Sequence, residues 1–284
     1  MKILVIGGSG LAGSNIVTEA ARRGHGIDST YLNNPDPQTG HQLDKTNSDR
    51  VNTIVEETDP DVIIDTAAFH NVDDCESKRN HAFSVNVEGT SNVAKAANQL
   101  GAHYIYLSSD YVFPGNASES PYAEDDPVFP PNYYAQTKLA GEQAAKIPEH
   151  WTVLRPSVIY GTKSENFVTW ALGELRSGNE ISIVNDQVSR PTYAPDLARA
   201  CIEIGEKNLT GLYHSTGPSS LNRFEFTKQL AKSFDLDDDL VKPITTEEFG
   251  QEAPRPTDSS LSSSKLYKDL GWEFKEPVVA FDDM

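Results

Sequence analysis

The sequence predicts an α/β fold: a doubly wound parallel sheet of the Rossmann-like kind with a smaller C-terminal lobe. Three observations carry that prediction. Short runs that are apolar on both faces alternate with helical patterns, as in a sheet covered by helices on both sides. Gly7, Gly10 and Gly13 lie between the first apolar run and the first helical pattern. Ser109 follows a later run, and the carboxyl ends of such strands are where these sheets hold ligands.

The elements follow in order. Residues 2–6 read as a strand, and residues 11–23 as a helix that Gly24 stops. A weaker strand runs through 27–32. Residues 48–58 are helical and 61–65 form a strand. Residues 81–100 read as one long helix ended by Gly101. A strand at 104–107, a helix at 133–146 and a strand at 151–155 complete the first half. After Gly161 the pattern loosens. Helical signals at 166–176, 194–206 and 223–234 alternate with short strands at 181–184 and 211–214, and Pro-rich and Ser-rich segments follow. The expected partition gives 1–160 and about 190–215 to a dinucleotide-binding domain. About 161–189 and 216–284 go to a lobe that closes over the sheet edge and selects the substrate.

The chain has 284 residues, enough for a large core. Asp and Glu number 42 against 24 Lys and Arg, a formal net charge of −18. That balance repels phosphate backbones and argues against nucleic acid as a partner. The acid is distributed, as on proteins of salt-loving organisms, where salt screens self-repulsion. No run approaches the roughly 20 apolar residues of a membrane span. The first residues enter a strand directly, so no signal peptide is read and a cytoplasmic protein is expected. Cys75 and Cys201 support neither a disulfide framework nor a metal site and read as buried thiols.

The three glycines have a G-x-x-G-x-x-G spacing, which differs from the G-x-G-x-x-G of ordinary dehydrogenases. Glycine allows a tight turn and close approach of a pyrophosphate to the free N–H groups of a helix start. An acidic residue ending the second strand would hold the ribose of NAD. Tyr31 falls there instead, with no arginine beside it for a 2′-phosphate. A missing carboxylate removes a repulsion, so the reading leans toward NADPH over NADH without settling it.

Tyr134 and Lys138 stand four residues apart, on one face of the predicted helix. A free phenol, with a pKa of about 10, is a poor proton donor and acceptor near neutrality. A neighbouring ammonium favours the phenolate. Such spacing occurs by chance on many helices, and Tyr133 is a rival phenol. Ser109 gives the pair its context, because a hydroxyl at a strand end can orient a carbonyl and stabilise the alkoxide formed from it.

Glycine loop, Ser109, Tyr134 and Lys138 together resemble the extended short-chain dehydrogenase/reductases. Within them the chain is similar to the dTDP-4-dehydrorhamnose reductases, through Leu43-Asp44, 60–68, 72–76, 86–90, 108–113, 134–142 and 184–192. The resemblance implies that Gly7, Gly10, Leu11, Ala12 and Gly13 hold the pyrophosphate. It implies that Leu43 and Asp44 lie near the adenine and that Ala67 and Ala68 line the ribose. Asn86 would support the site, and Ser109, Tyr134 and Lys138 would be the catalytic trio. Asp110, Val158, Gln187 and Arg190 would face a nucleotide sugar. Two positions depart from the pattern: Val158 stands where the bacterial reductases carry tryptophan, and Arg190 replaces a small residue.

The implied reaction is NAD(P)H-dependent reduction of the C4 carbonyl of a 4-keto-6-deoxy nucleotide sugar. Two alternatives stay open. One is a nucleotide-sugar epimerase or dehydratase, although Ser109 is followed by Asp110 and not by the Glu of a dehydratase acid pair. The other is a non-catalytic, NADP-binding subunit like the regulatory subunit of methionine adenosyltransferase. No ligand cluster for a metal is read. The oligomeric state stays open, a homodimer included.

Overall fold

The computed structural model describes residues 1–35 and 40–284. The strands are β1 (Lys2–Ile6), β2 (Gly26–Tyr31), β3 (His41–Gln42), β4 (Val62–Asp65), β5 (His103–Leu107), β6 (Trp151–Arg155), β7 (Ile159–Tyr160), β8 (Ile181–Val184), β9 (Val188–Ser189), β10 (Thr192–Tyr193), β11 (Gly211–His214), β12 (Leu221–Asn222) and β13 (Val241–Ile244). The larger helices are α1 (Leu11–Arg22), α2 (Ser48–Thr58), α3 (Val72–Ser77), α4 (Arg79–Phe83), α5 (Thr90–Leu100), α6 (Tyr133–Ala145), α7 (Phe167–Arg176), α8 (Ala194–Lys207) and α9 (Arg223–Ser233). Three short ones follow: α10 (Thr246–Phe249), α11 (Ser264–Leu270) and α12 (Pro277–Phe281).

Seven strands form one sheet in the order β11-β6-β5-β4-β1-β2-β3. Every pairing in it is parallel. The Rossmann-like sheet is thus present. The order reverses between β1 and β4, so the crevice at their carboxyl ends is the ligand-binding switch point. Alternate residues of each strand feed opposite layers. Ile3, Val5, Ile64 and Leu107 pack with residues of α1 and α8 on one side. Leu4, Ile6, Ile63 and Tyr104 pack with α2 and α5 on the other.

A third core gathers Tyr160, Val168, Leu172, Ile181, Phe226, Leu230, Val241 and Phe281. Leu266, Leu270 and Phe274 lie in the segment expected to join the smaller lobe, and they pack with the sheet instead. No helix among the described residues is long and apolar enough to cross a membrane.

The expected helix over 81–100 is broken. It consists of α4, a π-helical stretch Ser84–Gly89, and α5. The buried positions Ala82, Asn86, Gly89, Thr90 and Val93 keep helical spacing across the stretch, so periodicity does not reveal the change of winding. The stretch carries Asn86, whose amide accepts from the Phe69 N–H at 2.8 Å and donates to the Phe69 carbonyl and the Thr137 Oγ1, both at 3.0 Å. It ties the loop after β4 to α6.

Candidate active site

The glycine turn opens the site. Gly7 leaves β1 at φ +84°, a conformation that favours glycine, and its carbonyl accepts from the Gly10 N–H at 3.1 Å. A Cβ on Gly13 would lie 2.2 Å from the Gly7 carbonyl oxygen, so the fold itself demands glycine there. A Cβ on Gly10 would meet only that same oxygen, at an ordinary 3.5 Å. The protein's own packing leaves Gly10 open, which fits close approach of a ligand. Helix α1 starts at Leu11 with no side-chain cap and no acidic residue in its first turn. Its free N–H groups and positive dipole end suit a pyrophosphate, so the residues present fit a dinucleotide.

Leu43 is buried. Asp44 is exposed, and its Oδ1 accepts from the Thr46 N–H at 2.9 Å and hydroxyl at 2.8 Å, closing a turn before α2. Tyr31, Ala67 and Ala68 are half-buried at the ends of β2 and β4.

The chemistry-bearing groups meet beyond β5. Ser109 is 7% exposed, accepts from the Tyr111 N–H at 3.2 Å, and faces the Tyr134 phenol. Tyr134 sits in the first turn of α6, which Asn132 caps by accepting from the Ala135 N–H at 2.9 Å. The Asn132 amide also donates to the Pro254 carbonyl at 2.9 Å, anchoring the C-terminal segment to this helix start. Tyr111 packs edge-on against Tyr134, ring centroids 6.3 Å apart. Tyr133, the rival phenol, instead lies under the Arg79 guanidinium at 4.9 Å.

Lys138 is 2% exposed, donates to the Leu107 carbonyl at 2.6 Å, and lies 4.3 Å from the Tyr106 ring centroid. Glu142, one turn further along α6, makes two 2.8 Å bonds to Arg155 of β6 and accepts from the Ser108 hydroxyl at 2.6 Å. That buried pair fixes the helix against the sheet.

Burial pushes the Tyr134 phenol well above the usual tyrosine range, and the Ser109 hydroxyl works against that shift. Burial, and after it the Lys45 ammonium, push Lys138 down to about 7, against Asp65 and Glu142. The expected lowering of the phenol by Lys138 is not found: burial, and after it the Asp110 and Tyr111 neighbours, raise the phenol, and only Ser109 opposes them. A protonated Tyr134 is the form that donates. The cysteines are buried, and burial raises Cys75 to about 11 and Cys201 to about 12.

The remaining predicted residues divide. Asp110 is 3% exposed, and its oxygens accept from the hydroxyls of Ser109 at 3.0 Å and of Ser157 and Ser259 at 2.6 Å. Desolvation raises its pKa while those three hydroxyls oppose the rise. Val158 follows Ser157 at φ +41°, a left-handed conformation that costs a β-branched residue about 1–3 kcal/mol. Its carbonyl accepts from the Thr192 N–H at 3.2 Å. Gln187 donates to Thr246 at 2.9 Å and Gln251 at 2.6 Å, and Arg190 donates to Ser220 at 3.0 Å. Neither Gln187 nor Arg190 hydrogen-bonds the Ser109–Tyr134 pair.

Sequence reasoning missed Arg223 and Arg255. Both act electrostatically on Tyr111 and on each other. Arg223 lies 5.2 Å from the Phe167 ring centroid, and desolvation pushes its pKa down. Arg255 is 3.0 Å from Asp73 and donates to the Ala253 carbonyl at 2.9 Å. Arg223 had one legible signal: a cation in the first turn of a helix opposes the dipole.

A doubly wound sheet with this glycine turn and a serine, tyrosine and lysine at its carboxyl edge defines a short-chain dehydrogenase/reductase. More narrowly, the chain belongs to the family of the RmlD substrate binding domain, whose model matches residues 1–279. It is 34% identical over 268 residues to the dTDP-4-dehydrorhamnose reductase of Mycolicibacterium smegmatis, covering 93% of this chain and 79% of that one. It is also 33% identical over 277 residues to methionine adenosyltransferase 2 subunit beta of Xenopus tropicalis, covering 94% and 82%. The crystal structure of dTDP-4-dehydrorhamnose reductase from Bacillus anthracis in complex with NADP superposes with a TM-score of 0.90 at 32% identity, covering 100% of this chain and 98% of that one.

Proposed function

We propose that the protein reduces the C4 carbonyl of a 4-keto-6-deoxy nucleotide sugar with NADPH or NADH. The bound dinucleotide supplies the hydride. Gly7, Gly10, Leu11, Ala12 and Gly13 hold its pyrophosphate, and Tyr31, Leu43, Asp44, Ala67 and Ala68 border its adenosine and ribose. The Ser109 hydroxyl turns from Asp110 to donate to the substrate carbonyl and orients it. Tyr134 delivers the proton that completes the new hydroxyl, and Lys138 holds the ribose and steadies the phenol as its proton leaves. The carrying observation is the meeting of the Ser109 hydroxyl with a protonated Tyr134 at the end of β5, with Lys138 one turn further on.

The substrate side takes its shape from Asp110, Val158, Gln187 and Arg190, with Arg223 and Arg255 supplying cations for the diphosphate. Tyr31 at the end of β2 offers no carboxylate to repel a 2′-phosphate, which favours NADPH. The family also contains the adenosyltransferase subunit, and the intact trio supports catalysis over a purely binding role.

The test is oxidation of NADPH and NADH by purified protein in high salt with dTDP-linked 4-keto-6-deoxy sugars. Turnover that Tyr134→Phe removes, with cofactor affinity kept, is expected. Tight NADPH binding without turnover on any 4-keto sugar nucleotide would move the protein to the binding-subunit class.

A further inference from the structure

Lys45 and Asp65 form an ion pair inside the sheet's crevice, 4% and 1% exposed. The Lys45 ammonium is 2.9 Å and 3.2 Å from the two Asp65 oxygens, 3.2 Å from the Thr90 hydroxyl, and 2.6 Å from the Ala67 carbonyl. Asp65 accepts in addition from the Ala67 N–H at 3.1 Å and the Tyr104 hydroxyl at 2.8 Å. The pair therefore holds Ala67 by both its N–H and its carbonyl. The fold makes room for it: a Cβ on Gly89 would lie 2.7 Å from the Lys45 Cγ.

The pair is one strand from Lys138. Asp65 lies opposite Tyr106 in the β4–β5 register, and the Lys138 ammonium sits over the Tyr106 ring. The charged groups facing Lys138 are Lys45, Asp65 and, on its own helix, Glu142. Lys45 and Asp65 pull the Lys138 proton in opposite directions.

We propose that Lys45 and Asp65 are positioning residues for the catalytic lysine: they hold the Ala67 turn and balance the charge beside the Lys138 ammonium. A staple needs only a good fit between its two halves. A charge balance, by contrast, has a sign. Asp65→Asn leaves Lys45 unopposed and makes Lys138 lose its proton at lower pH. Lys45→Met leaves Asp65 unopposed and makes Lys138 hold it to higher pH. The double variant removes both influences and brings Lys138 back toward its starting value.

The inference rests on the reductase reading for the role of Lys138, so its test avoids turnover. The protein, carrying lysine labelled with ¹³C at the ε-carbon, is titrated by NMR, and the Lys138 signal is assigned by its loss in Lys138→Met. The single variants are expected to shift its midpoint in opposite directions by about one pH unit, tenfold in proton affinity. The double variant is expected to fall between the two single variants, nearer the parent than either. A midpoint that does not move, moves the same way in both single variants, or fails to move back toward the parent in the double variant overturns the proposal. NADPH binding to the unaltered protein is measured alongside. Failure there would sink the reductase reading while leaving the titration result standing.

Discussion

The two sides of the cleft are built differently. The side proposed for the cofactor is mostly backbone: the turn at Gly7 and Gly13, the uncapped start of α1, and the main chain at Ala67. The side proposed for the substrate is mostly side chains, drawn from Asp110, Ser157, Arg223, Arg255 and Ser259. Backbone geometry constrains residue type sharply, because only glycine fits where a Cβ would meet a carbonyl. Side-chain contacts between distant segments leave almost no local trace. The contrast accounts for what each side reveals of itself and for how each should respond to substitution.

The largest effect is expected where the two sides meet. Tyr134→Phe removes the proton donor and should lower kcat by about 10²- to 10⁴-fold, the usual contribution of a general acid. The NADPH affinity should stay unchanged, as fluorescence titration would show. A variant with near-normal turnover would dissolve the meeting point. On the substrate side, Arg223→Met should raise KM for the nucleotide sugar by about ten- to a hundred-fold, the loss of a charge-assisted contact of roughly 1.5–3 kcal/mol. Cofactor affinity again should hold. A cofactor-binding defect equal to the KM change would break the division between the two sides.

The cofactor side makes its own paired prediction. Gly13→Ala should destabilise the fold by about 1–3 kcal/mol in denaturant unfolding, because its new methyl overlaps the Gly7 carbonyl. Gly10→Ala should unfold like the parent and weaken only NADPH binding. Equal stability losses in both would mean that Gly10 serves the fold and not the ligand.

The remaining effect is on stability and depends on pH. Lys138 has a folded-state pKa near 7, below the ordinary lysine value. The cost of burying its charge is therefore fully present below about pH 7 and fades as pH rises toward the unfolded value of about 10.4. Lys138→Met should raise the Tm most at about pH 6, with the gain shrinking by about pH 9. A gain independent of pH would place the effect in packing instead of charge.

Much of the fold was legible. Strands apolar on both faces, helices stopped by Gly24 and Gly101, and the glycine turn led directly to the sheet and its switch point. That Ser109, Tyr134 and Lys138 come together at the end of β5 could be read because helical spacing and strand ends are local facts. What was illegible is instructive. The π-helical stretch at Ser84–Gly89 hid inside an unbroken helical spacing of buried positions. Lys45, between Asp44 and Thr46, carries no local signal of a role, and only the fold brings it to Asp65. The left-handed Val158 has no sequence signal at all, since nothing local favours valine there. Arg255 lay within a proline-rich segment whose path the sequence does not reveal.

One buried carboxylate carries a consequence for how the protein is made. Asp110 collects hydroxyls from Ser109, Ser157 and Ser259, the last separated from it by 149 residues of chain. Chains fold from the N-terminus as they are synthesised. The first six strands of the sheet emerge well before Ser259, so the sheet can begin to assemble while Asp110 still lacks its third partner. Completion of that hydroxyl cluster is thus a late event as each chain is made. A chain that stops short of Ser259 would leave the carboxylate one hydroxyl short beside Ser109.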